Sequence, residues 1–193
     1  MEDPLEFALS LGLGIALASA CGFRVFVPLF VVGLANRVGH LELESLLWLS
    51  SNTALLCLGA ATLLETLAYF IPMLDNFLDT IATPAATVAG TVMTFAMVSD
   101  ISPWLHWTLA IIAGGGSATV VQAGTVALRA GSTTLTAGIA NPIIGTVETI
   151  GAIIMTILSL LLPPLGVLLA IIILFFALRS TFRYLTSRNH ATA

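Results

Sequence analysis

Charged residues are scarce in this chain, and lysine is missing altogether. Only 8% of the 193 residues are charged, whereas 58% are hydrophobic, and the mean hydropathy is +1.07. Soluble domains carry about 25% charged residues, so this inventory is too apolar to build a water-exposed surface. The composition therefore predicts an integral membrane protein.

The balance of the few charges excludes nucleic acid as a partner. All six basic residues are arginine, and ten acidic residues bring the formal net charge to −4. Binding to phosphates requires a basic patch, which six dispersed arginines do not form. We expect membrane lipid and a small solute or ion as the partners of this chain.

Cysteine and catalytic motifs are equally sparse. Cys21 and Cys57 lie in apolar stretches without CxxC spacing, which favours buried free thiols over a disulfide or a metal site. The sequence contains neither HExxH nor GxSxG, and its three histidines fall at predicted membrane interfaces or in the tail. We therefore expect neither an enzyme nor a resident cofactor.

Long hydrophobic runs make up most of the sequence. A membrane-spanning helix needs about 20 apolar residues. By that measure the sequence predicts an all-α, polytopic chain, a single transmembrane domain over 1–193 with a short tail at 185–193. The six predicted segments are 6–35, 51–72, 77–98, 103–128, 141–162 and 164–184.

A weak internal repeat relates the two halves. The second segment contains "LLETLAYFIP" and the fifth "TVETIGAIIM", so each places a Glu-Thr pair, at Glu65 and Glu148, inside an apolar helix. Each glutamate helix follows a helix rich in small residues and precedes one further span. Because three is odd, the half at 103–184 would enter the membrane inverted relative to the half at 5–98. Inverted repeats of this kind build many transporters.

The arginines also predict the orientation of the chain. Arg129 and three arginines of the C-terminal region fall on the same side as both termini, and Arg37 falls on the other. The positive-inside rule then predicts cytoplasmic termini in a bacterial inner (plasma) membrane or a thylakoid membrane. Because 193 residues are few for a solute path, we expect a homodimer.

Three charges lie deep inside predicted spans. An ionised side chain at the depth of Glu65 or Glu148 costs several kcal/mol unless it is paired, protonated or in a wet cavity. Both residues fit a cation or proton site, or carboxyl groups that fix helix packing by hydrogen bonds. Arg24 lies about 18 Å from the end of its segment, too far to reach the headgroups easily. We expect it to pair with these carboxylates, while an anionic substrate is the alternative.

Further polar residues lie near helix ends. Asp75 and Asp79, one turn apart, share a helix face near the membrane boundary. They fit helix capping by Asp75 with solvation, or a vestibule for cations, or a metal-stabilised corner of oxygen ligands. Asn141-Pro142 predicts a helix start, with Asn141 as the cap, whose free N–H groups could face an anion or Glu148.

The combination of these motifs resembles a known family. The stretches "SACGFRVFVPLFVVGLA", "LETLAYFIPMLDNFLDTIATPAATVAG" at 64–90 and "AGIANPIIGTVET" at 137–149 are similar to the bacterial membrane-protein family catalogued as domain of unknown function 4126. The positions that match its pattern are Glu65, Pro72, Asp75, Asp79, Pro84, Gly90, Asn141, Pro142 and Glu148. The family's name assigns no activity, so the resemblance groups these residues without giving them a role.

These observations predict a function in transport. We expect a small transporter or channel-like protein that moves an ion or small solute past Arg24, Glu65 and Glu148 near the midplane, with protonation of the carboxylates as a coupling step. The alternative is a membrane protein that transports nothing and instead assembles with, or stabilises, another membrane complex.

Overall fold

The computed structural model describes the backbone of residues 3–39, 44–68, 71–99 and 101–191, and their side chains except those of 72–77 and 183–191. Over these ranges the chain contains helices and no strand. A 3₁₀ helix at Glu44–Ser50 precedes α3, and a π-helical segment at Ala110–Gly115 joins α5 to α6. The α-helices are α1 (Pro4–Phe23), α2 (Phe26–Val38), α3 (Asn52–Ala68), α4 (Pro72–Met97), α5 (Pro103–Leu109), α6 (Gly116–Thr136), α7 (Asn141–Leu161) and α8 (Pro163–Ala191).

Five helical stretches are long and apolar enough to cross a membrane. They are Pro4–Phe23, Leu78–Met97, Pro103–Thr136, Asn141–Leu161 and Pro163–Phe182. The 3₁₀ helix and α3 make a sixth only if they form one span, and a bend of 73° separates them. The prediction of a polytopic helical protein with about six spans thus agrees with a structure that has five or six.

The first predicted segment is two helices rather than one. The sequence predicts one apolar segment at 6–35, in which Pro28 can kink the helix near Arg24, and in the structure α1 ends at Phe23 and α2 begins at Phe26. Pro28 explains the break, because its ring would clash with the carbonyl of Arg24, four residues earlier, and proline has no N–H to donate to it. α2, with 13 residues, is shorter than a span. The buried arginine therefore lies at a helix break.

Several other helix boundaries differ from the sequence prediction, among them the start of α4 and the end of α6. α4 begins at Pro72, with Ile71 as its N-cap, so the interpretation of Asp75 as a cap is wrong. Proline suits the first position of a helix because no partner is needed there for its missing N–H. α6 continues to Thr136, beyond the predicted end at 128, and hydroxyl groups near its end bond back to the helix backbone, as in Thr136 donating to the Ser132 carbonyl at 2.8 Å.

α1 lies at the centre of the bundle, in contact with α4, α6, α7 and α8. Its second half is built from small residues that are almost fully buried, which lets neighbouring backbones approach closely. A Cβ at Gly22 would lie 2.5 Å from the Ala118 carbonyl oxygen and 2.6 Å from Cβ of Val121. The crossing of α1 and α6 therefore requires glycine at this position.

The outer helices bury little of their surface. Much of α8 is exposed, and Glu65 is the single buried residue recorded for α3. Both cysteines are free thiols, but Cys21 is buried whereas Cys57 on α3 is exposed, so the expectation of two buried thiols is wrong for Cys57. In an apolar bundle such exposed faces are where lipid or another chain packs.

Replacing Gly22 by alanine should destabilise the protein by roughly 1–3 kcal/mol, because the added methyl group must displace the backbone of α6. Gly151→Ala is the matched control, since a Cβ there meets nothing within 4 Å and alanine is the better helix former. Unfolding in mixed detergent, followed by tryptophan fluorescence, measures both changes. Equal stability of the two variants would contradict the close crossing of α1 and α6.

Candidate functional site: a chain of buried charges at a helix break

Arg24 lies at the break, with an extended backbone (φ −146°, ψ 121°) and a side chain that is about 1% exposed. Its Nη2 donates a hydrogen bond to the Gly145 carbonyl at 2.6 Å and lies 3.4 Å from Oε2 of Glu148. Both partners belong to α7. The pairing with Glu148 agrees with the sequence prediction, and the side chain stays in the protein interior.

Glu65 also reaches the break, but it binds backbone rather than arginine. Its two carboxylate oxygens accept hydrogen bonds from the N–H groups of Val25, at 2.8 Å, and Phe26, at 3.2 Å. The side chain is nearly buried, with 7% exposed. We expected Glu65 to lie opposite Arg24 as a direct ion-pair partner, and that detail is wrong. The break frees the N–H groups at the start of α2, and a carboxylate satisfies them.

Arg129 is the residue that sequence reasoning missed. It was placed near the membrane edge, but it lies seven residues before the end of α6, and its side chain is 2% exposed. Its Nη1 is 2.6 Å from Oδ1 of Asp79, its Nη2 is 3.4 Å from Oε2 of Glu148, and Nη2 also donates to Oγ1 of Thr125 at 3.2 Å. One guanidinium thus bridges carboxylates from α4 and α7.

The predicted repeat contained a signal for Arg129. In each half an arginine occurs in the small-residue helix that precedes the glutamate helix, Arg24 before Glu65 and Arg129 before Glu148. The polar run after Arg129 suggested a loop and concealed this correspondence. The structure brings both arginines to the same glutamate, Glu148, because α1, α6 and α7 pack together.

Asp79 connects the buried charges to an open pocket. Its side chain is 13% exposed, and it lines a pocket of about 330 Å³ between α4 and α6 together with Arg129. Thr80 and Thr83 supply hydroxyl groups to the same wall. Successive contacts therefore link Asp79 to Arg129, Arg129 to Glu148 and Glu148 to Arg24, from a polar pocket to the helix break. We call this set the charge chain.

Of the two remaining candidate residues, only Asn141 has a side chain that the structure describes, and it lies away from the charge chain. Asp75 belongs to α4, but its side chain is outside those that the structure describes. Asn141 is the first residue of α7 rather than its cap, which is Ala140, and its Nδ2 donates to Oγ1 of Thr133 at 3.0 Å. It is two turns from Glu148, about 10 Å along the helix. The expected approach of the α7 start to Glu148 is therefore wrong, and the helix start is anchored to α6 instead.

No group of three or more His, Cys, Asp or Glu side chains with metal-binding geometry occurs within the described part of the chain. His106 stacks on Phe95, with ring centroids 3.7 Å apart, and its Nε2 is 2.8 Å from the Phe95 carbonyl oxygen. These contacts give His106 a packing role between α4 and α5.

The comparisons with known proteins identify a family and no closer relative of known activity. The family model described as "Domain of unknown function (DUF4126)" matches residues 11–183, which include every residue of the charge chain. The resemblance seen in the sequence is thereby confirmed. No curated protein and no solved structure matches the chain.

Replacing Arg129 by glutamine should lower the free energy of unfolding by roughly 3–5 kcal/mol, because it leaves buried carboxylates without their bridging cation. Adding Glu148→Gln to this variant should restore part of the loss. Both variants are compared by unfolding in mixed detergent.

Arg179→Gln is the control for this substitution, since Arg179 is exposed and its loss should change stability by less than about 0.5 kcal/mol. If Arg129→Gln is as stable as Arg179→Gln, the bridging role of Arg129 is wrong.

Proposed function

This chain belongs to the DUF4126 family, and we propose that it is a small membrane transport protein that moves an ion or small solute past the charge chain, with the proton as its coupling ion. The observation that carries the proposal is the continuity of the charge chain. It begins at an open polar pocket, passes through Arg129 and Glu148, and ends at a broken helix.

The free-energy cost of these charges favours a functional role. Buried ionisable groups in a membrane protein are expensive, and an ion pair is often replaceable by apolar residues of similar volume without loss of stability. A bundle that needed only packing would be built more simply from leucine and small residues. Four charges from four chain segments, linked by successive contacts, instead suit a site where binding of an ion or proton at one carboxylate changes the pairing of the others.

The proposed coupling step begins at Asp79. A proton that enters the polar pocket binds the Asp79 carboxylate and removes an anionic partner of Arg129. The guanidinium then interacts more strongly with Glu148, 3.4 Å away, and the attraction between Glu148 and Arg24 weakens. Protonation of Asp79 thereby changes the electrostatic attraction on Arg24 at the break between α1 and α2, where a discontinuous helix can change direction.

The inverted repeat is part of this proposal. Glu65 in α3 and Glu148 in α7 would be equivalent residues, and both reach the same place, one at the backbone of Val25 and the other at Arg24. In transporters built from inverted repeats, sites lie at the interface of the two halves and the halves alternate in access. We further propose a homodimer in a bacterial inner or thylakoid membrane, with both termini cytoplasmic.

The second candidate is a membrane protein that transports nothing and assembles with another membrane complex. The observation in its favour is the burial of the inner charges, since Arg24, Glu148 and Glu65 are 1%, 5% and 7% exposed. Through its ion pairs and hydrogen bonds, such a cluster can hold α1, α3, α6 and α7 together. The exposed apolar faces of α3 and α8 would then contact the partner.

Proton flux into liposomes that contain the purified protein and an internal pH dye tests the proposal. With gradients of small cations and anions in turn, the wild-type protein should carry protons with at least one solute, and Asp79→Asn and Glu148→Gln should abolish that flux. Glu6→Gln is the control, because Glu6 is an exposed carboxylate of α1 outside the charge chain. Its flux should match the wild type.

Stability measurements on the same samples separate a transport defect from unfolding. Loss of flux in Asp79→Asn without loss of stability supports a coupling role. Absence of flux for every solute in the wild type, together with one protein that co-purifies tightly, would reject transport in favour of assembly with a complex.

A further inference from the structure

A long groove runs between α2 and α3 on the outside of the bundle. Arg37, in the last turn of α2, contacts Asn52 at the start of α3. At the opposite end, Glu65 of α3 binds the N–H group of Phe26, where α2 begins. The two helices are therefore antiparallel, and the groove between them has a volume of about 720 Å³.

The groove is polar at one end only. Of the described residues that line it, Arg37 and Asn52 are polar and lie together at that end, and all the others are apolar. The apolar walls come from Phe30 and Leu34 of α2 and from residues of α3 as far as Leu63. A ligand that complements these walls is anionic at one end and hydrocarbon along the rest of its length.

The guanidinium at the polar end is held in a fixed orientation. Nη1 of Arg37 donates to the Ser50 carbonyl at 3.2 Å and to Oδ1 of Asn52. Within the described part of the chain, Nε and Nη2 of this exposed arginine have no acceptor, so they can donate to an external one. A guanidinium binds phosphate oxygens through pairs of such N–H groups. This end of the groove therefore suits a phosphate group.

The polar end lies at the membrane boundary. The 3₁₀ helix beside it exposes Glu44 and more than half of Trp48, and tryptophan is typical of the layer between headgroups and hydrocarbon. From Asn52 to Leu63 the groove extends about 16 Å along α3, at about 1.5 Å per residue. One leaflet of hydrocarbon is about 15 Å thick, half of a core of about 30 Å. The groove thus has the length of one leaflet, with Arg37 at the level of the headgroups.

We propose that the groove between α2 and α3 is a binding site for an anionic phospholipid such as phosphatidylglycerol, with the phosphate on Arg37 and one acyl chain along the groove. None of the described lining residues is acidic, so the ammonium group of a choline or ethanolamine headgroup finds no carboxylate there. A headgroup with a net negative charge keeps the full attraction to Arg37. This site goes beyond the proposed transport function and does not depend on it.

A lipid at this position would stabilise the most exposed part of the charged centre. Glu65 is the one buried residue recorded for α3, while Leu56 and Leu63 are more than half exposed. An acyl chain that packs between α2 and α3 gives α3 apolar contacts that the protein alone does not supply. Bound lipid therefore favours the position of α3 in which Glu65 accepts the hydrogen bonds of Val25 and Phe26.

Lipid binding to the purified, delipidated full-length protein in detergent tests the headgroup contact. Native mass spectrometry should show that the tightest lipid site prefers phosphatidylglycerol to phosphatidylcholine of equal chain length by at least about tenfold. Arg37→Gln should lower the affinity for phosphatidylglycerol to near that for phosphatidylcholine. Arg179→Gln is the matched control, because Arg179 is an exposed arginine outside the groove, and it should bind as the wild type does.

A leucine at Gly59 tests the groove itself. A Cβ at Gly59 meets only the ring of Phe30, at 3.3 Å, so the larger side chain would occupy the space of the acyl chain. Gly59→Leu should therefore abolish the tight binding of phosphatidylglycerol. Gly151→Leu is the matched control, since a Cβ there meets nothing within 4 Å, and it should leave the affinity unchanged. Both substitutions replace glycine in a helix by a better helix former.

Melting temperatures cover the case in which a variant folds less well. Arg37→Gln removes bonds to Ser50 and Asn52, so each variant is first measured without lipid. Phosphatidylglycerol should then raise the melting temperature of the wild type and of both controls more than phosphatidylcholine does. For Arg37→Gln and Gly59→Leu the two lipids should give the same rise, whatever the lipid-free value.

Three outcomes would overturn the site. If the two lipids bind the wild type equally, or if both groove variants bind phosphatidylglycerol as the wild type does, lipid only surrounds the bundle. An effect of Arg37→Gln without one of Gly59→Leu would place the acyl chain outside the groove. If Gly59→Leu instead lowers a dimer population and leaves lipid binding unchanged, a second copy of the chain covers the groove. Proton flux that depends on Asp79 and Glu148 is a separate measurement, so none of these results decides the proposed function.

Discussion

The need to satisfy polar groups inside an apolar bundle governs the centre of this protein. Pro28 prevents a continuous helix, so the chain interrupts its helical hydrogen bonding at the N–H groups of Val25 and Phe26, for which lipid offers no acceptor. Glu65 binds the N–H groups that the break leaves free, and Arg24 bonds to the Gly145 carbonyl of α7. The break thus ties α3 and α7 to α1 and α2, and the arrangement of the remaining charges follows from that connection.

The charge chain has a direction because its members differ in exposure. Asp79 borders a polar pocket, whereas Arg24 is sealed in the core, and Arg129 and Glu148 lie between them. A set of ion pairs placed only for stability has no reason to extend from an open pocket to a helix break. This asymmetry is the physical basis for a transport interpretation rather than a purely structural one. The two buried glutamates also differ in their contacts. Glu148 belongs to the charge chain, whereas Glu65 accepts hydrogen bonds from the backbone at the break.

Close packing around α1 makes the network possible. Small residues in α1, α4 and α6 allow the helices to approach until Arg24, at the end of α1, and Arg129, on α6, both reach Glu148. Larger residues at the crossings would separate the helices and lengthen the distances from Arg24 and Arg129 to Glu148, which are already 3.4 Å. In contrast, α3 lies at the edge with one buried side chain, so the same bundle combines a tightly packed centre with a peripheral, largely exposed helix.

The sequence by itself determined the class of the protein, most of its helices and the pairing of Arg24 with Glu148. These follow from composition, from the length of apolar runs and from the cost of an isolated charge in a membrane, all of which are local or general properties. Only the tertiary structure decided that Glu65 binds backbone, that Arg129 is buried, and that Asp79 rather than Asn141 joins the cluster. Such choices depend on which donors a helix break releases and which distant helices pack against it, and no local pattern of residues encodes those distances.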